Sequence, residues 1–175
     1  HGKRALEIRP DFPEAHSDLG SHLSDLGRHK PALKHHRRAV ALRPRAAEAH
    51  YNYAAALARS GDPETARKEY QLALRYNPGF APAHHNLASL LRADGEFEAA
   101  IEHYRAALAA NPYLAGTHYH LGLTLAAQGQ PEAAAHHFRS SLELNPRDQR
   151  AQEQLEILTG SALLLSPGAT GPKSP

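Results

Sequence analysis

One block of residues recurs at a constant interval. The trios Gly27, Ala32, Pro44; Gly61, Ala66, Pro78; Gly95, Ala100, Pro112; and Gly129, Ala134, Pro146 repeat every 34 residues. A fixed interval of this length marks a chain made by stacking copies of one supersecondary unit, since a single copy cannot bury its own apolar face. Each unit in such a stack touches only its neighbours, and function usually resides in what the extended surface binds. Catalysis is therefore not the first expectation.

The units are placed at 13–46, 47–80, 81–114 and 115–148. Each reads as two helices. Gly27, Gly61, Gly95 and Gly129 close the turn after the first helix, where glycine takes left-handed geometry at little cost. The second helix opens at pairs such as Asp62-Pro63 and Gln130-Pro131, with Asp as a cap and Pro in the first turn. It stops at Arg43-Pro44, Asn77-Pro78, Asn111-Pro112 and Asn145-Pro146, because proline pushes its predecessor out of helical geometry.

Residues 1–12 read as the end of a truncated preceding repeat. Ala5, Leu6, Ile8 and Pro10 share the phase of Ala39, Val40, Leu42 and Pro44, and a chain that opens on His1 and has no methionine reads as a fragment. At the other end, residues 149–159 read as a polar capping helix and 160–175, rich in Gly, Ser and Pro, as a disordered tail with an apolar patch at Leu163–Leu165.

Small residues hold fixed phases: Gly20, Ala54, Ala88 and Gly122 on the first helix, then Ala32, Ala66, Ala100 and Ala134 on the second. Leu19, Tyr53, Leu87, Leu121 and Leu23, Leu57, Leu91, Leu125 fill the remaining buried phases with Tyr70, Tyr104 and Phe138. With its Leu-Gly or Leu-Ala pairs, central Gly, Ala, aromatic and Pro, the chain resembles the tetratricopeptide repeat family over about residues 3–159. That resemblance implies an all-α fold, a right-handed α-solenoid (superhelix) of stacked antiparallel helix pairs. Two departures stand out. The bulky position usually held by Trp is His16, His50, His84 and His118, and His36 occupies the phase of Tyr70, Tyr104 and Phe138, so the first unit is expected to pack least well.

The residue before each Leu/Tyr-Gly/Ala pair is polar: Asp18, Asn52, Asn86, His120 and, in the cap, Gln154. In the family this phase faces a concave groove. The wording Ala83-His84-His85-Asn86-Leu87 is similar to the repeat arrays of O-linked N-acetylglucosamine transferases, whose asparagine ladder grips peptide backbones; this carries over to Asn52 and Asn86 alone. An Asn amide sets a donor beside an acceptor and can pair with both groups of one peptide unit. Tyr51, His85, Arg92 and Tyr119 flank the ladder, with Tyr51 and Tyr119 as aromatic anchors. The cations with which some family members clamp a partner's C-terminal carboxylates are missing from the matching positions Ser17, Ser21, Asn52, Pro82 and Asn86.

The 14 histidines raise the question of metal. No His-Glu-x-x-His and no i,i+4 His pair is present, cysteine is absent, and neither metal nor cofactor is expected. His16, His50, His84 and His118 recur at the repeat interval, so they read as packing residues. No nucleophile-base wording or phosphate loop suggests an enzyme within this stretch, and no apolar run approaches membrane-spanning length. Net charge is +2, but Arg28, Lys30, Lys34, Arg37, Arg38, Arg43 and Arg45 form a stretch without an acid. It reads as a solvated face, and nucleic acid is not the expected partner. The expected function is a protein-interaction scaffold that binds an extended peptide or partner surface in its groove. The alternatives are the substrate-recognition arm of a larger enzyme such as a glycosyltransferase, and a self-assembling structural array.

Overall fold

The computed structural model describes residues 11–165. They form the helices α1 (Pro13–Asp25), α2 (His29–Leu42), α3 (Ala47–Arg59), α4 (Pro63–Tyr76), α5 (Ala81–Ala93), α6 (Phe97–Ala110), α7 (Ala115–Ala127), α8 (Pro131–Leu144) and α9 (Gln149–Leu165), with no strand among the described residues. The truncated repeat expected before Asp11 lies almost wholly outside the described residues. So does the tail beyond Leu165. Residues 160–165, expected in that tail, continue α9 instead.

The turn within each pair follows from glycine. Gly27, Gly61, Gly95 and Gly129 have φ of 70°, 87°, 80° and 70°, the left-handed region that side chains rarely adopt. The next amide then reaches back five residues: Arg28 N–H donates to Leu23 O at 2.8 Å, Asp62 to Leu57 at 3.0 Å, Glu96 to Leu91 at 2.9 Å and Gln130 to Leu125 at 3.0 Å. This is the Schellman closure, which satisfies helix-end carbonyls. The same residues serve at once as N-caps of the second helices, and Asp62 also accepts from Thr65 N–H at 3.1 Å.

The chain divides into two compact units, His1–Pro112 and Tyr113–Pro175. In the first, α1 packs on α2, α3 on α4 and α5 on α6, while α2 meets α3 and α4 meets α5 to join successive pairs. In the second, α7 packs on α8, and α8 on α9.

Packing inside a pair runs on the small residues. Ala32, Ala66, Ala100 and Ala134 are fully buried, and Tyr104 and Phe138 are as completely enclosed. A Cβ placed on Gly122 would come within 2.8 Å of the Phe138 ring, and one on Gly20 within 2.8 Å of the His36 ring. Helix backbone and ring are therefore in direct contact, leaving no room for a methyl group. Tyr53 differs from its expected core role, being half-buried.

Candidate functional site

The histidines that replace the bulky first-helix aromatic are not inert packing. Each meets a second-helix residue nineteen positions later: His16 with His35 (Nδ1–Nδ1 2.9 Å), His50 with Glu69 (Nδ1–Oε2 2.6 Å), His84 with His103 (2.9 Å) and His118 with His137 (3.0 Å). Ring centres 5.1 Å apart in the His84–His103 pair, with nitrogens 2.9 Å apart, describe a head-on N–H···N hydrogen bond rather than two lone pairs converging on a third atom. His84 Nε2 donates to Pro78 O at 2.9 Å, since a carbonyl can only accept. In the neutral ring Nδ1 is then bare, and His103 Nδ1–H is the donor of the pair. Burial, followed by the neighbouring His84, lowers the His103 pKa. His50 is different, because both its nitrogens face oxygen atoms, Pro44 O at 3.0 Å and the Glu69 carboxylate. Among the described residues no three His, Asp or Glu side chains gather to hold a metal ion.

Three members of the polar ladder, Asp18, Asn52 and Asn86, belong to the first unit. Asp18 and Asn52 line a depression of about 170 Å³. On its other side Asn52 joins Tyr51, Asn86, Ser89 and Tyr70 around a groove of about 550 Å³, floored by Ala55, Ala58 and Leu90. Asn52 thus sits on the wall between the two hollows, half-buried. Arg59 and Asp25, 3.7 Å apart, close one end.

The two asparagines are not equivalent. Asn86 Nδ2 donates to Tyr70 Oη at 3.2 Å and to Tyr51 Oη at 3.4 Å, so both its amide hydrogens are engaged and its Oδ1 is what it offers. Burial, outweighing this bond, pushes the Tyr70 hydroxyl up to about 12, so it stays protonated and holds a hydrogen for donation. Tyr51 packs edge-on to Phe80, with ring centres 5.1 Å apart, which fixes its orientation. Asn52 has no side-chain hydrogen bond to a described residue and keeps donor and acceptor together.

The remaining expected residues fall elsewhere. His85 stands edge-on to Tyr104, with ring centres 5.6 Å apart, and burial lowers its pKa. Arg92 approaches the same tyrosine, whose hydroxyl also bonds Ser89 at 3.0 Å. In the second unit Tyr119 is buried rather than an exposed anchor. It lies 5.8 Å from Phe138, and the Arg150 guanidinium from α9 sits 4.9 Å above its ring. His120 stands edge-on to Tyr119. The ring under Arg150 is covered because a cation over an aromatic face gains from the ring quadrupole.

Four family models match, described as tetratricopeptide repeat over residues 17–82, 69–102 and 115–148 and as TPR repeat over 88–129. The chain belongs to the tetratricopeptide repeat family. Its all-α fold is that of solved tetratricopeptide repeat (TPR) proteins. MamA aligns at 25% identity with a TM-score of 0.74, over 85% of this chain and 87% of MamA. PilF of Pseudomonas aeruginosa aligns at 23% and 0.80, over 87% and 69% of the two chains. YrrB, a TPR protein with an unusual peptide-binding site, aligns at 18% and 0.78, over 94% and 85%. No curated protein matches the sequence. These comparisons speak for the repeat family and not for the narrower likeness to glycosyltransferase arrays, and none names an enzyme family.

Proposed function

We propose that this TPR array is a protein-interaction scaffold that holds an extended peptide along the Asp18–Asn52–Asn86 surface of its first unit. The observation that carries the reading is Asn52, an unengaged amide on the wall between two hollows of about 170 and 550 Å³. A peptide crossing that wall presents one N–H and one C=O to the amide, a two-point contact indifferent to side-chain identity. Asn86 contributes its Oδ1 as an acceptor, held in place by Tyr51 and Tyr70, so it takes a ligand N–H one repeat further along. The apolar floor of Ala55, Ala58 and Leu90 suits a small aliphatic side chain.

Selection of a random peptide library against the wild-type chain and against Asn52→Ala, with helicity matched by circular dichroism, tests this. Binders that lose affinity at least about tenfold in the variant agree with loss of two hydrogen bonds. Binders indifferent to the change would move the site off this surface.

A further inference from the structure

A second surface of the first unit stands apart from the groove, and the other repeats serve as its control. At the phase where α4, α6 and α8 place Glu64, Glu98 and Glu132 in their first turns, α2 has Lys30. Where the other turns have Asp62, Glu96 and Gln130, of which Asp62 alone makes a side-chain cap, α2 is preceded by the cationic Arg28. Acids at a helix N-terminus are favourable and cations are not, so α2 is charged against its own dipole. Lys30, Lys34, Arg37 and Arg38 then follow at three- and four-residue spacings, where like charges repel. The fold does not require any of this. The phases of Lys34, Arg37 and Arg38 are Lys68, Gln71 and Leu72 in the second repeat and Glu102, Arg105 and Ala106 in the third.

The structure gathers these cations. Lys34, Arg37 and Arg38, with Asp11, Ala41 and the hydrogen-bonded His16 and His35, line a cleft of about 520 Å³. Arg38 is paired with Asp11, whereas Lys34 and Arg37 have no acidic partner among the described residues. The local field is positive enough that the charges of His16 and Lys34 add to burial in lowering the His35 pKa. Sequences violate local rules mostly where function requires it.

We propose that this cleft docks a short acidic segment of a partner protein, its side-chain carboxylates meeting Lys34 and Arg37. The size favours a peptide. From Lys30 to Arg38 the helix rises about 12 Å, the span of roughly four extended residues. Asp11 in the cleft is taken up by Arg38 and Glu14 by Arg43, which leaves Lys34 and Arg37 as the cleft's unpaired cations, a stretch too short for an extended phosphate backbone. The cleft is concave, which a planar membrane surface does not match.

A fluorescein-labelled hexaglutamate peptide, followed by fluorescence anisotropy at low salt, provides the test. Wild-type chain is expected to bind it. Lys34→Gln with Arg37→Gln should weaken binding about tenfold, the combined effect of two exposed pairs, and added salt should do the same. Both side chains are exposed, so the double variant folds. Arg105→Gln with Arg139→Gln, both at the phase of Arg37 in later repeats, should leave affinity unchanged, as should Asn52→Ala, which separates this surface from the groove. Absence of binding, or equal loss in both double variants, would overturn the proposal. So would tighter competing binding by a twelve-nucleotide single-stranded DNA or by phosphatidylserine vesicles.

Discussion

Replacing His36 by Phe should make the first unit more stable and remove a defined part of its acid sensitivity. His36 is 1% exposed, and neither ring nitrogen makes a hydrogen bond. Burial, then the charges of Arg59 and His35, against a smaller opposing contribution from the Gly20 backbone, lowers its pKa from 6.5 to about 4. The neutral ring is thus favoured in the folded chain. Its contribution to stability is complete above pH 6.5 and is lost as pH falls from there through about 4. At about 1.4 kcal/mol per pKa unit, roughly 2 kcal/mol of this loss has accrued by pH 5, where the unfolded imidazole is charged and the folded one is not. A phenyl ring fits, because Gly122 lies under Phe138 with the same 2.8 Å approach that Gly20 makes to His36. Removing two unbonded polar atoms from the interior should add about 1–3 kcal/mol at pH 7.5. Urea unfolding followed by circular dichroism at pH 7.5 and pH 5 measures both effects. The advantage of His36→Phe over wild type should grow by about 2 kcal/mol between the two conditions. An advantage independent of pH would refute the assignment of a buried neutral imidazole.

Other outcomes follow from the same contacts. Gly20→Ala and Gly122→Ala should each cost about 1–3 kcal/mol in urea unfolding, since the added methyl meets a ring with nowhere to move. His103→Glu, which installs in the third repeat the pairing that His50 and Glu69 make in the second, should reduce the acid lability of α5 and α6. Native-state hydrogen exchange at pH 7 and pH 5 reports it, and unchanged lability would separate the His84–His103 bond from acid sensitivity. Lys34→Glu should leave thermal stability equal or raise it by about 0.3 kcal/mol per repaired helix pair, as a melting curve would show, while abolishing hexaglutamate binding.

What was legible in the sequence is what each repeat does by itself. The four glycines adopt the left-handed turn, the alanines at one phase are fully enclosed, and Tyr70, Tyr104 and Phe138 are buried. The partners of the first-helix histidines were also periodic, at 35, 69, 103 and 137, but a polar residue on a second helix carries no mark of the face it meets. Contacts special to one repeat were harder still. Asn52 and Asn86 share a phase, yet only Asn86 has Tyr51 and Tyr70 within reach. Tyr51 and Tyr119 share one too, but α9 lays Arg150 over Tyr119 alone. Such differences arise from neighbours that do not repeat.

The most direct test of the groove is an amide chemical-shift titration of the ¹⁵N-labelled chain with a library-selected peptide. Shifts concentrated at Tyr51, Asn52, Ala55, Asn86 and Ser89, and absent with Asn52→Ala, are the expected result. Saturable binding with those amides unmoved would contradict a peptide site on this surface.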